Sequence, residues 1–359
     1  MSEQTSQTKY SVSGGFVSLM AKLKVSVAFT SYQSGLFYLL GSTLNGGLNV
    51  HQSAIMKPMG LAVSLDEDKK RAREIHLTSN HQILRFVNAL SEGQLANKSF
   101  DACFVPREVR TTGRLDAHDI GIDGEGEQVF VNTRFNCLAK LAEQHSFTHI
   151  WKPKFISEIV DEDRCHLNGL AMVEGKPKFA TAISQSNTID GWRDRRANGG
   201  VVIEIESGAV VCKGLSMPHS PRWHLDRLWV LNSGTGEIGA IDLDVDDPQE
   251  RFVPKAFCPG FVRGLGFAEN YAFVGLSKPR YERFTGLELD QRLQDADAEP
   301  WCGIQVIELS TGRCVEWFRI DGEIGELYDV AVVPGIACPM AVSPSSEEAA
   351  SFVTFEQTS

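Results

Sequence analysis

Asn168-Gly169-Leu170-Ala171-Met172 is a short apolar run opened by a polar residue and a glycine, and the same five-residue shape returns along the chain. The other copies are Met59-Gly60-Leu61-Ala62-Val63, His118-Asp119-Ile120-Gly121-Ile122, His219-Ser220-Pro221-Arg222-Trp223, Arg263-Gly264-Leu265-Gly266-Phe267 and Tyr328-Asp329-Val330-Ala331-Val332. Their starts lie 59, 50, 51, 44 and 65 residues apart. Intervals of roughly 40 to 50 residues are those of β-propeller blades, and the two longer ones imply insertions.

A second β-rich run follows each of the first five copies: His76–Thr78, Val129–Asn132, Phe179–Ala182, Leu228–Asn232 and Ala272–Leu276. Third and fourth strands are read in Val201–Val211 and Ile304–Val315, which alternate with period two and turn through Ser-Gly or Thr-Gly. Four antiparallel strands per repeat make a blade. The sequence therefore predicts an all-β fold, a single six-bladed β-propeller over residues 24–342. Residues 1–23 read as an N-terminal lead and residues 343–359 as a flexible, solvated tail. The best helical candidates are Asn136–His145 and Leu287–Ala298. Few residues follow the sixth copy, whereas Val25–Phe29, Gly35–Leu40 and a strand near Ile55 precede the first. The N-terminal strands are therefore expected to complete the last blade and pair its open edge.

A chain of 359 residues, 42% hydrophobic and 23% charged, can bury a large core. Its net charge of −11 repels nucleic acid, and it has no basic run to override that repulsion. Val25–Gly41 is broken by Thr30, Ser31, Gln33 and Ser34, so no membrane-spanning helix is expected. Eight cysteines, none in a CxxC pair, and a polar N-terminus without the pattern of a secretory signal suggest a reduced, cytoplasmic protein.

In a propeller, the loop entering each inner strand and the loop between strands two and three share one mouth. The first position of the copies then forms a ring of Met59, His118, Asn168, His219, Arg263 and Tyr328, with His166 in the turn before Asn168. Asp119 and Asp329 follow at the second position. The loops add Asn132, Arg134, Asn232 and Lys278, and two inserts at that end, 185–199 with Trp192 and 279–301, are candidates for a lid. His118, His166 and His219 are candidate ligands for a divalent metal, since imidazole and carboxylate suit several such ions. The candidate catalytic residues are His118, His219, Tyr328 and Asp329; the candidate ligand-binding residues are Asn168, Arg263, Asp119, Asn132, Arg134, Asn232, Lys278 and Trp192. Arg263 and Arg134 suit a carboxylate or phosphate on a ligand, and equally a salt bridge to Asp119 or Asp329. Polar residues at these positions can also serve only to bond water and neighbouring blades. Ser220 lacks a nucleophile elbow, and the glycines from Gly234 to Gly239 sit between strands, which suits a hairpin and not a phosphate cradle.

The strings Gly214–Trp223, Leu228–Glu237, Arg263–Phe267 and Phe273–Lys278 resemble a bacterial family of conserved hypothetical proteins of about this length, over roughly Val25–Pro339. In architecture the chain also resembles the six-bladed propellers that include gluconolactonases, strictosidine synthase-like proteins and NHL-repeat modules. The first resemblance implies the fold and no reaction. The metal-dependent lactonases imply a cation held by Glu, Asn and Asp, a set that Asn168 and Asp329 match in part. Three histidines at channel positions depart from it and favour a softer metal or direct acid and base roles.

Two functions stay open at this point. One is an enzyme, metal-dependent and hydrolase- or lactonase-like or of another kind, acting on a small polar, anionic molecule. The other is a noncatalytic binding or scaffold propeller for a peptide, saccharide or protein partner. Neither nucleic acid nor membrane is an expected partner.

Overall fold

The computed structural model describes residues 8–279 and 286–355. The six repeats form the inner strands of six sheets and touch one another in cyclic order, which closes the propeller. Blade 1 runs outward through Leu61–Leu65, Ala72–Thr78, Gln82–Asn88 and Ala102–Thr111; blade 2 through Ala117–Ile122, Gln128–Asn132, Cys137–Lys140 and Thr148–Trp151. Blade 3 comprises Leu167–Val173, Lys176–Ala182, Gly200–Glu204 and Val210–Leu215; blade 4 comprises Pro218–His224, Arg227–Asn232, Glu237–Ile241 and Phe252–Phe257. Blade 5 is Phe261–Ala268, Tyr271–Ser277, Cys302–Glu308 and Arg313–Asp321.

Blade 6 closes the ring as expected: Val330–Pro334 pairs with Val25–Ser31, which leads to Leu36–Ser42 and Leu48–Ala54. Phe29 faces Val330 and Val25 faces Pro334. Joining the two ends of the chain in one sheet gives Val330–Pro334 a partner strand that the C-terminal residues do not supply.

The core is divided among the interfaces between blades, because period-two strands present one apolar row to each neighbour. Leu138 packs toward blade 3 with Leu167 and Leu170, while Cys137 and Ala139 pack toward blade 1 with Ile83. This two-sided burial makes Cys137–Lys140 a strand, correcting the helix expected over 136–145. The helix expected over 287–298 is present as Glu288–Asp295.

Residues 8–23 are built into the propeller, and residues 1–7 of the expected lead lie outside the described residues. Lys9–Val12 adds an outer strand to blade 5, and the helix Phe16–Leu23 buries Phe16, Met20 and Leu23 on one face. After the last blade, Pro339–Ala341 runs parallel to Ala102–Phe104 on the rim of blade 1. In the expected tail, helix Glu347–Ser351 is capped by Ser346, and Ala349 and Phe352 pack on Cys103, Val105 and Met340. Residues 356–359 of that tail and residues 280–285 of the second insert lie outside the described residues. All eight cysteines are free, and among the described residues no helix is long and apolar enough to cross a membrane.

The inner ring alternates. The second residue of the repeat is Asp119, Ser220 and Asp329 in blades 2, 4 and 6, and Gly60, Gly169 and Gly264 in blades 1, 3 and 5. Each polar side chain accepts a backbone N–H from the next blade: Leu170 to Asp119 Oδ2 at 2.9 Å, Gly264 to Ser220 Oγ at 3.0 Å and Leu61 to Asp329 Oδ2 at 2.8 Å. The glycines allow the intervening blades to close up, since a Cβ on Gly60 would stand 2.7 Å from Asp119 Cα and one on Gly169 2.3 Å from Pro221 Cδ. Each blade therefore joins its neighbours by one polar staple and one close approach.

Candidate functional site

One repeated turn builds the mouth. Asp116, His166 and Met217, each two residues before the first position of its copy, adopt left-handed backbone with φ of 52°, 53° and 48°. This conformation is uncommon for residues with a side chain and persists where the surroundings over-determine it. In blades 2 and 4 the turn carbonyl accepts the imidazole N–H of the first-position histidine: His118 Nδ1 bonds Asp116 O at 2.8 Å and His219 Nδ1 bonds Met217 O at 2.8 Å. In blade 3 the turn residue is itself the histidine. His166 Nδ1 bonds Asp163 Oδ2 at 2.6 Å, and its backbone N–H reaches Asp163 Oδ1 at 3.0 Å.

Every acceptor here is an oxygen, so all three imidazoles carry a proton on Nδ1, and in the neutral ring the lone pair lies on Nε2. Their rings are packed into one cluster. His118 meets His166 edge-on at 4.8 Å, His166 stacks on Trp192 at 4.2 Å, and His118 meets Tyr328 at 5.7 Å. These side chains, with His219, Phe261 and Arg263, line a cavity of about 250 Å³. Burial pushes His118 down to about 4 and His219 well below the ordinary histidine range, so both are neutral near pH 7. Burial alone would raise Asp163, but His166 beside it holds its carboxyl below the usual value.

The cavity also contains uncommitted donors. Trp192 Nε1 and the Tyr328 hydroxyl are buried without hydrogen-bond partners among the described residues. Burial, only partly opposed by Arg263, keeps the Tyr328 phenol protonated. The Arg263 guanidinium lies 3.4 Å over the Tyr328 ring, and no carboxylate pairs with it among the described residues.

Several residues expected at the mouth are spent on the fold. Asp119 and Asp329 stand deeper in the channel around Arg222, with Arg222 Nη1 2.7 Å from Asp119 Oδ2 and Nη2 3.4 Å from Asp329 Oδ2. The cation on these acids is Arg222, and neither Arg263 nor Arg134 takes that role. Burial raises Asp329 to about 7 against the pull of Arg222, whose charge the two acids preserve despite its own burial. Asn168 accepts from Thr181 and donates to Pro218 O of blade 4. Asn232 accepts the Ser216 N–H, and Asn132 receives that of Phe135. Thr30, Thr78, Thr133, Ser233 and Ser277 each donate to a carbonyl that begins the next inner strand. Arg134 pairs with Asp161 at the rim of a neighbouring cavity, and exposed Lys278 bonds Gly325 O through its backbone.

The residues do not fit a metal as expected. The lactonase-like donors Asn168 and Asp329 have their oxygens committed within the protein. Among the described residues, the only three His, Cys, Asp or Glu side chains with donor atoms mutually within 4.8 Å are Asp123, Glu125 and Glu127. His118, His166 and His219 are not gathered that closely. The acidic trio sits on an exposed turn where Lys140 already lies 2.6 Å from Asp123 and 2.5 Å from Glu127.

Asp163, Asp116 and Arg222 are the residues that sequence reasoning missed. Asp163 is three residues before His166, a spacing that a single turn brings into contact. Arg222 is the one long side chain at a position where the other copies have Ala62, Gly121, Ala171, Gly266 and Ala331.

Fold and site together define a six-bladed β-propeller with a histidine-lined mouth. The family model described as a domain of unknown function (DUF4915) matches residues 14–342, and the chain belongs to that family. No curated protein matches it. Among solved structures it is similar to a chain of a nidogen/laminin complex, at 11% identity and a TM-score of 0.53, over 87% of this chain and 99% of that one. It is also similar to virginiamycin B lyase from Staphylococcus aureus, at 12% identity and a TM-score of 0.40 over 88% and 99%. A gluconolactonase from Xanthomonas campestris aligns at 12% identity and a TM-score of 0.46 over 84% and 86%. At such identities the likeness concerns the fold alone.

Proposed function

We propose that the mouth binds a small anionic molecule and moves a proton on it, with His166 as the base. The observation that carries this reading is the Asp163–His166 pair: a carboxylate 2.6 Å from Nδ1 orients the ring and stabilises the imidazolium that forms when Nε2 takes a proton. Arg263 supplies the charge for a carboxylate or phosphate, and the Tyr328 hydroxyl and Trp192 N–H supply donors without competing partners among the described residues. His118 and His219, neutral with Nε2 free, accept hydrogen bonds from the ligand. In the proton-transfer step a ligand C–H or O–H bond breaks, an N–H bond forms at His166 Nε2, and the charge left on the ligand faces Arg263. No step is assigned to a metal, because the histidine nitrogens are not gathered to ligating distance.

The test begins with thermal shifts against a panel of small carboxylic and phosphorylated acids. Each stabilising acid is then incubated with the protein in D2O and followed by NMR for C–H exchange or conversion. The reading expects stabilisation that His166→Asn retains and exchange that it loses. Stabilisation with no exchange or conversion by the unsubstituted protein favours the noncatalytic binding propeller, and the absence of any stabilising acid sinks the anion site.

A further inference from the structure

A second cavity of about 300 Å³ adjoins the mouth and shares Tyr32, Asp116 and Asp163 with it as a common wall. Lys57, Arg114 and Arg134 line this outer cavity, while Arg193, Arg196 and Arg263 line the inner one. Asp190 pairs with Arg193 and Asp161 with Arg134, and Lys57, Arg114 and Arg263 stand beside the two acids Asp116 and Asp163, on a protein whose net charge is −11. Cations in a concave site of a strongly acidic protein give an anion a local place to bind.

The cations at the two ends rest on one aromatic ladder. Arg263 lies 3.4 Å over Tyr328, Tyr328 is 6.0 Å from Tyr32, and Lys57 lies 5.2 Å over Tyr32. A cation held on a ring face is fixed in place and keeps its hydrogen-bond donors for another partner. Lys57 and Arg114 form no ion pair among the described residues, whereas Arg134 is already neutralised by Asp161. A ligand with a single charge would use Arg263 and leave the outer pair idle.

We infer that the ligand is a short acid with an anionic group at each end, one on Arg263 in the histidine cavity and the other on Lys57 and Arg114 in the outer cavity. This deepens the anion-binding reading above and rests on it.

The experiment compares inorganic phosphate with phosphonoacetate, 3-phosphonopropionate and 4-phosphonobutyrate by calorimetry on the full chain at fixed ionic strength. The expected result is an optimum chain length that binds about tenfold or more tighter than phosphate, as a second charge-assisted contact provides. A Lys57→Gln/Arg114→Gln double variant, altered only at exposed positions, should lose that advantage while still binding phosphate normally. Equal affinity across the series, or equal weakening of all probes by the double variant, overturns the two-ended ligand and leaves the single anion site standing. If Arg263→Gln changes none of the affinities in a protein with unchanged thermal stability, both readings fall.

Discussion

Asp163 holds His166 at two points, through the ring Nδ1 at 2.6 Å and through the backbone N–H at 3.0 Å. The second bond supports the left-handed turn that carries the ring, so one carboxylate sets both the backbone and the tautomer. Replacing Asp163 with Asn keeps a similar shape but removes the charge facing the imidazolium. For a reaction run by this base, Asp163→Asn should cost about 10²- to 10⁴-fold in proton transfer, with ligand affinity changed far less. Measuring exchange rate and affinity on the same variant separates the two, and equal losses in both would argue for a purely structural carboxylate.

His118 makes part of the stability depend on acid. Its folded value is about 4 because burial disfavours the cation, whereas an unfolded histidine titrates near 6.5. As pH falls through 6.5 the unfolded chain gains a proton that the folded one refuses until about 4, so stability is full above this window and lost down through it. Asp329, raised by burial, acts with the opposite sign over a similar range. A difference measurement is therefore required. Between pH 7 and pH 4 the unsubstituted protein should lose on the order of 3 kcal/mol more than His118→Asn in urea unfolding. Parallel stability profiles for the two would contradict a neutral, buried His118.

Arg222 is bound to carboxylates from two other blades, and removing it strands both. Arg222→Ala should cost about 3–5 kcal/mol of unfolding free energy, the usual effect of leaving a buried charge uncompensated. Adding Asp119→Asn and Asp329→Asn to that variant should restore part of the loss. A single variant as stable as the parent would show that the channel is wetter than its geometry indicates.

The close approach of blade 3 to blade 4 can be tested at Gly169. A methyl there would stand 2.3 Å from Pro221 Cδ and 2.4 Å from Thr181 Oγ1. Gly169→Ala should therefore destabilise by about 1–3 kcal/mol. Gly14→Ala, where a Cβ meets nothing within 4 Å, is the control and should be nearly neutral in the same melt.

The architecture was legible because a propeller repeats one unit and each copy carries the same apolar pattern. Short strands such as Cys137–Lys140 were harder to read, since a fully buried run looks the same in a helix until its two faces are assigned to two neighbours. The N-terminal helix was obscured for a related reason: Phe16, Met20 and Leu23 become core residues only when blades 5 and 6 together supply the surface they cover.

At the mouth, the sequence by itself determined the ring of first-position residues and the richness of His118, His166 and His219, because equivalent places in a repeat share a location. Only the tertiary structure decided which polar groups remain available. Asn168, Asp119 and Asp329 are consumed by neighbouring blades and by Arg222, whereas the His166 Nε2, the Tyr328 hydroxyl and the Arg263 guanidinium are left to the cavity. A repeat alignment fixes where a side chain starts, but hydrogen bonds between blades far apart in sequence determine whether its polar atoms are free to act.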